Sequence, residues 1–107
     1  MKGISKEDWK LFREKAPEWQ ERYMGKLIEE YVALLNSPGN PSERFWALDK
    51  RIRNDKRHPG VLLELNKSEA IFDIAGFIRR NVISIDDMAG FSDELIEAVK
   101  EIVTRKF

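Results

Sequence analysis

The side chains with catalytic potential begin with His58, the only histidine in a chain of 107 residues that contains no cysteine. A zinc site needs several histidine, cysteine or acidic ligands, and a serine hydrolase needs a histidine beside an activated serine. The sequence offers neither a second histidine nor a Gly-x-Ser-x-Gly motif. Because His58 lies in the turn sequence Arg57-His58-Pro59-Gly60, we interpret it as a solvated residue at a helix C-terminus, where positive charge is favourable.

The adjacent carboxylates Asp86 and Asp87 are the second candidate. Successive residues of a helix point about 100° apart, so this pair cannot converge on one metal ion or one glycosidic bond. A calcium loop that began at Asp86 would place Met88 and Gly90 at the third and fifth ligand positions, which neither can fill. No glycine-rich phosphate loop occurs either. The sequence therefore predicts no catalytic, cofactor-binding or metal-binding residues, and we expect a protein that is not an enzyme.

A stripe of basic residues is the main binding candidate. Residues 41–58 carry six basic and three acidic side chains. Spacings of three and four residues place four of the side chains in this segment on one stripe of a predicted helix: Trp46, Lys50, Arg53 and Arg57. A cationic stripe with an aromatic side chain at one end could bind a phosphate backbone or an acidic partner.

A structural interpretation of this basic stripe competes with the functional one. Trp46 would pack on a flank of the core while the aliphatic stems of the basic side chains extend past it. Asp49 and Arg53 are four residues apart, as are Arg51 and Asp55, so part of the charge is neutralised locally. We favour the structural interpretation.

Residues 83–99 have the outline of a helix-turn-helix, with a short helix, a glycine turn and a longer helix. The longer helix would present carboxylates to solvent, namely Asp93, Glu94, Glu97 and Glu101. Phosphates repel carboxylates, and base readout requires approach to the phosphates. We therefore predict that this segment is a helical corner of the core and does not read DNA.

Proline, glycine and polar turn residues divide the chain into helical segments. Their spacing predicts helices over about 5–15, 17–36, 42–57, 61–81 with a break near Ser68, a short helix ending at Gly90, and a last helix after Ser92. Ser5 with Asp8, and Ser84 with Asp87, resemble capping boxes. Residues 81–84 read as a connector. Arg105 and Lys106 are favourably placed at the C-terminus of the last helix.

The second predicted helix has an apolar face that covers nearly half its circumference, wider than a surface helix needs. That face comprises Tyr23, Met24, Leu27, Ile28, Tyr31, Val32, Leu34 and Leu35. We expect this helix to be the spine of the protein. The resulting fold class is all-α, a compact irregular or orthogonal bundle of five to six helices that forms a single domain over residues 1–107.

The charge balance and the hydropathy of the chain argue against several classes of function. Nineteen basic and nineteen acidic side chains cancel, so no overall charge steers the protein toward nucleic acid or anionic lipid. No apolar run approaches the roughly 18–20 residues that span a bilayer, and no signal-peptide hydrophobic region is present. We expect a cytoplasmic protein that does not bind membranes and has no evident small-molecule substrate.

Two segments, residues 45–57 and 91–95, resemble short, uncharacterised bacterial all-helical proteins, some of which carry the label "multidrug transporter". The resemblance implies a helical fold over nearly the whole chain, and it carries no activity with it. Because the sequence lacks a spanning segment, we treat the transporter label as a misassignment.

Tryptophan content suggests a binding role. Trp9, Trp19 and Trp46 are more than a domain of this size needs to bury, and tryptophan is enriched at the centres of interfaces. Our leading hypothesis is a non-enzymatic helical interaction module that binds a protein partner or associates with itself as a homodimer. The alternative is a small nucleic-acid-associated or regulatory protein that uses the basic stripe of the third helix.

Overall fold

Helices account for every regular element of the computed structural model, which describes residues 3–105. The four α-helices are α1 (Lys6–Leu35), α2 (Pro41–Asp55), α3 (Ala70–Arg79) and α4 (Asp93–Thr104). Two short 3-10 helices, Lys67–Glu69 and Ile85–Met88, precede α3 and α4. No β-strand occurs within residues 3–105. The all-α class is confirmed, but the prediction of five to six helices is wrong, since the described residues form four α-helices.

The main difference lies at Pro17, which we expected to begin a second helix. The structure instead contains one helix of 30 residues, with Pro17 in its interior. Proline lacks the N–H that would bond to the carbonyl of Arg13. Phe12, Ala16 and Trp19 are buried on one face on either side of this defect. The shared core contact holds both halves of the helix in line, so the missing hydrogen bond does not end it.

The core is formed by the N-terminal half of α1 together with α3 and α4. Trp19 is its centre, with ring centroids 6.0 Å from Phe77 and 6.1 Å from Phe91. Phe12 lies 6.1 Å from Phe77 on the same side. Aliphatic side chains from α3 and α4 complete the cluster: Ile71, Ile74, Leu95, Val99 and Ile102. The protein is therefore built on the first half of α1, not on the wide apolar face of residues 17–36.

The segment between α2 and α3 is extended where we expected helix. Val61, Leu63 and Leu65 are half-buried, while Leu62 and Glu64 are exposed. This period of two is that of extended chain, and it lets Leu63 and Leu65 pack against the core. The helical prediction for 61–81 therefore holds only for Ala70–Arg79 and the short 3-10 turn before it.

Helix caps link distant parts of the chain. Ser5 caps α1 by accepting from the Asp8 N–H at 3.1 Å, as predicted, but the Asp8 carboxylate does not close the box. It accepts instead from the Ser92 N–H at 2.9 Å and the Ser92 hydroxyl at 2.5 Å. Ser92 in turn caps α4 by accepting from the Leu95 N–H. Asp8 thus ties the N-termini of α1 and α4 together.

The second capping box, Ser84 with Asp87, is confirmed over the 3-10 turn Ile85–Met88. The connector over 81–84 is also confirmed, with Asn81 in the left-handed region at φ 63° after the end of α3. The C-terminus of α4 differs from expectation, because Arg79 of α3 donates to the carbonyls of Ile102 and Arg105. Arg105 itself pairs with Glu101, and Lys106 lies outside the described residues.

The molecule is elongated, and our expectation of a compact bundle is wrong. Its extents are 53 × 29 × 22 Å and its radius of gyration is 16.6 Å, where a compact chain of this length would have about 13 Å. The length comes from α1, whose C-terminal half continues past the core. Residues 24–35 of α1 and the antiparallel α2 form a projecting helical hairpin, called the arm below.

Candidate interaction surface

The arm is held together by a polar seam between its two helices. The Tyr31 hydroxyl donates to the Asp55 carboxylate at 2.5 Å, and Arg51 donates to Glu30 at 3.0 Å. The Arg51 guanidinium also lies over the Tyr31 ring, 5.5 Å from its centroid. Burial, together with the hydrogen bond to Asp55, raises the pKa of Tyr31 to about 12. These contacts fix the register of α1 against α2.

Large apolar side chains of the arm are exposed to solvent. On α1 the exposed fractions are 57% for Ile28, 52% for Val32 and 46% for Leu35; on α2 they are 63% for both Phe45 and Trp46. The Phe45 and Trp46 rings contact each other edge to face, with centroids 4.9 Å apart. We call these five residues the arm patch. Solvent-exposed apolar side chains clustered on one element are typical of an interaction site.

Ile28 and Phe45 of the arm patch lie on the opposite side of the hairpin from the Arg51–Glu30 pair. At about 100° per residue, Ile28 lies roughly 160° around α1 from Glu30, and Phe45 lies roughly 120° around α2 from Arg51. The Arg51–Glu30 pair bridges the two helices on one side. Ile28 and Phe45 therefore both point to the other side of the hairpin.

The four residues of the predicted basic stripe all lie on or just after α2. Trp46 is exposed and contacts Phe45, so our expectation that it packs on a flank of the core is wrong. The physical reason is that α2 projects beyond the core and buries none of its side chains fully. Lys50 and Arg57 are exposed, and Arg53 pairs with Asp49 at 2.9 Å. Arg57 follows the last helical residue, Asp55, in a turn.

His58 is not the solvated residue that we expected. Its ring stacks on Tyr23 with centroids 4.4 Å apart and planes within 9°. Its Nδ1 atom accepts from the Gly60 N–H at 3.0 Å, so this nitrogen carries no proton in the folded protein. Burial first, and the nearby charge of Arg80 second, lower the pKa of His58. His58 anchors the chain after α2 to α1, and no pattern in the sequence indicates this contact across 35 positions.

A cleft of about 320 Å³ lies between the N-termini of α1 and α4. Its buried carboxylate, Asp8, is 5% exposed and accepts from Ser92 with both oxygens. Those hydrogen bonds make it a structural link between helices. A second, more open cleft holds Arg22, which donates to both oxygens of Asp87 at 2.9 Å. The hydrogen bonds from Arg22 lower the pKa of Asp87.

Two further observations concern the chemistry of the described residues. Among the side chains of residues 3–105, no group of three or more histidine, cysteine, aspartate or glutamate residues is placed to hold a metal ion. Over the same range, no helix has the length and apolar character that crossing a bilayer requires. The one buried side-chain oxygen without a partner there is Oδ2 of Asp73, whose pKa is raised by burial and by Glu69.

Comparison of the chain with protein-family models, with curated proteins and with solved structures finds no match. The resemblance to short bacterial helical proteins therefore stays a prediction. The arrangement of residues within the chain is what bears on its function, and the arm patch is the most prominent feature of that arrangement.

Sequence reasoning missed four of the five arm-patch residues as binding residues. The apolar pattern places Ile28, Val32 and Leu35 on the predicted spine of the protein, and it predicts no binding role for Phe45. A usable signal was present, because an apolar face of nearly half the circumference is more than one neighbouring helix can cover. The apolar side chains of α1 that α2 does not cover are the ones that remain exposed.

Proposed function

We propose that this protein is a helical interaction module that docks onto protein through the arm patch. The observation that carries the proposal is the exposure of five large apolar side chains on one projecting hairpin. Burying such side chains yields about 25 cal/mol per Å² of apolar surface removed from water. Tryptophan, here Trp46, is also among the residues that most often dominate binding energy.

Covalent trapping in the native cells tests this proposal directly. A benzophenone amino acid in place of Val32 should form cross-links to a protein chain, identified by mass spectrometry, because the side chain would lie inside the interface. Phe72 of α3 is the matched control, being an exposed apolar residue outside the arm. If position 32 gives no more cross-linked protein than position 72, docking through the arm patch is refuted.

The second candidate function is binding to a phosphate backbone through the basic stripe. It is supported by the exposure of Trp46, Lys50 and Arg57 on the outer side of α2, since an exposed ring can stack on a base while cations contact phosphates. The Arg53–Asp49 pair lowers the net positive charge there. Protein docking is favoured because it accounts for Ile28, Val32 and Leu35, which phosphate binding leaves unexplained.

Fluorescence anisotropy with labelled DNA and RNA at low salt separates the two functions. If the basic stripe binds nucleic acid, the triple change Lys50→Glu, Arg53→Glu and Arg57→Glu should weaken binding at least ~100-fold by removing several phosphate contacts. A control with equal charge change replaces Lys6, Lys10 and Lys26, which are exposed on α1. Binding that is absent, or equally weakened by both triple variants, rules out the stripe.

A further inference from the structure

We propose that the arm patch binds a second copy of this chain, with α1 of each arm packed against α2 of the other in a two-fold symmetric four-helix bundle. This inference rests on the proposed function and names its partner. Three observations support it: the excess surface of the chain, the distribution of charge on the two edges of the patch, and the register of the arm helices.

The exposed surface of the chain is large for its mass. It amounts to 7537 Å², whereas a compact folded chain of 12.6 kDa would expose about 6,200 Å². The difference exceeds the roughly 800 Å² that each partner buries in an interface of standard size. The arm contributes to this excess, because α2 buries none of its side chains fully and three of the arm-patch residues lie on the projecting half of α1. One copy of the arm therefore supplies enough surface for a stable dimer.

The two edges of the patch carry opposite charge. On the outer edge of α1, Glu29 follows Ile28 around the helix, and it forms no ion pair with any residue of the range 3–105. On the outer edge of α2, Lys50 and Arg53 share a stripe with Trp46 and outnumber the one acid beside it, Asp49. An interface between identical surfaces is self-complementary when each edge meets the opposite edge of the partner. An acidic edge and a basic edge satisfy that condition.

The register of the arm places these charges at the same height. Arg51 pairs with Glu30, and Tyr31 with Asp55, so α1 and α2 run antiparallel with residue 29 level with about residue 53. A two-fold axis parallel to the arm leaves the position of each residue along that axis unchanged. Glu29 of one copy therefore meets Arg53 of the other. The Arg53 guanidinium already contacts Asp49, and its five N–H donors leave some for a second carboxylate.

Charge also excludes the other face-to-face arrangement. A two-fold axis perpendicular to the arm would pack α1 against α1 of the second copy and bring their acidic edges together, including Glu21 and Glu29. Like charges across an interface disfavour association. The arrangement with α1 on α2 pairs opposite charges and keeps the apolar residues of both patches in contact.

Sedimentation equilibrium of the purified full chain tests the identity of the partner. We expect a mass twice 12.6 kDa that falls toward 12.6 kDa on dilution. Val32→Glu should raise the dissociation constant at least ~10-fold, because it buries a charge at the centre of the patch. The matched control Phe72→Glu lies outside the arm and should leave the dissociation constant unchanged.

A mass of 12.6 kDa at every concentration at which the protein stays soluble would refute a second copy as the partner. Cross-linking of position 32 to a different protein would then leave the proposed function standing.

Charge reversal tests the arrangement. Glu29→Lys and Arg53→Glu should each raise the dissociation constant about five-fold, since each replaces attraction by repulsion across the interface. The double variant restores opposite charges and should recover the original value. Circular dichroism of each variant checks that the helices are intact. Tighter association of Glu29→Lys alone, or failure of the double variant to recover in a folded protein, contradicts packing of α1 against α2.

Discussion

At the scale of single residues, the structure depends on polar contacts that join segments far apart in the chain. Asp8 connects α1 to α4, Arg22 connects α1 to Asp87, and Tyr23 holds His58. The helix caps within these networks were predictable from the sequence, because Ser5, Ser84 and Ser92 lie at helix starts, where hydroxyls accept from free N–H groups. The contacts between distant segments were not predictable, since no pattern in the sequence indicates that Asp8 lies against Ser92.

Replacement of Asp8 by alanine should strongly destabilise the fold. The change leaves the Ser92 N–H and hydroxyl without their acceptor in a partly buried site, which costs about 1–3 kcal/mol of the free energy of unfolding. Chemical denaturation measures this loss. Glu7→Ala is the control, because Glu7 is an exposed acid in the same helical turn and should cost less than ~0.5 kcal/mol. Equal effects of the two variants would show that the link does not stabilise the fold.

His58 should make stability depend on pH. Its folded pKa lies below the ordinary value of 6.5, so the unfolded chain binds a proton more readily than the folded one. The contribution of His58 is therefore complete above about pH 6.5 and is lost as the pH falls through this value toward the folded pKa.

Denaturation between pH 7.5 and 5 measures this dependence, and His58→Phe is the reference variant. Phenylalanine keeps a ring against Tyr23 but neither titrates nor accepts from Gly60. The difference in unfolding free energy between the parent and this variant should shrink as the pH is lowered. A difference that stays constant or grows would be inconsistent with a lowered pKa.

At the scale of elements, the single continuous helix α1 contributes to both the core and the arm. Its first half packs Phe12 and Trp19 into the core, and its second half carries the arm. Apolar periodicity predicted helix in both halves correctly, because period 3.6 is a local property. It could not show that Pro17 lies inside one helix, since the core contacts that outweigh the missing hydrogen bond come from α3 and α4.

Pro17→Ala should stabilise the protein. The alanine N–H can bond to the Arg13 carbonyl, and Pro17 is exposed, so no core contact is lost. The gain should be about 1–3 kcal/mol, the lower values reflecting the greater freedom of the unfolded alanine chain. Thermal unfolding followed at 222 nm measures it. A lower stability of this variant would mean that α1 requires the shape that proline imposes.

At the scale of the whole molecule, the proposed dimer would account for both the elongated shape and the exposed arm patch. The sequence indicates an apolar face too wide for a surface helix, and this width is the reason that apolar residues of the arm are left exposed. Periodicity does not distinguish a core within one chain from a core shared by two chains. Phe45 and Ile28 illustrate this ambiguity, since both have the spacing of core residues and both are exposed.

Disulfide trapping between two differently substituted chains tests the shared arm most directly. The natural sequence contains no cysteine, so a thiol introduced at position 29 or 53 has no competitor. When Glu29→Cys chains are mixed with Arg53→Cys chains and oxidised mildly, we expect the mixed disulfide dimer to predominate over either homodimer. Predominance of the 29–29 disulfide, or no disulfide dimer in any mixture, would contradict the packing of α1 against α2 of a second copy.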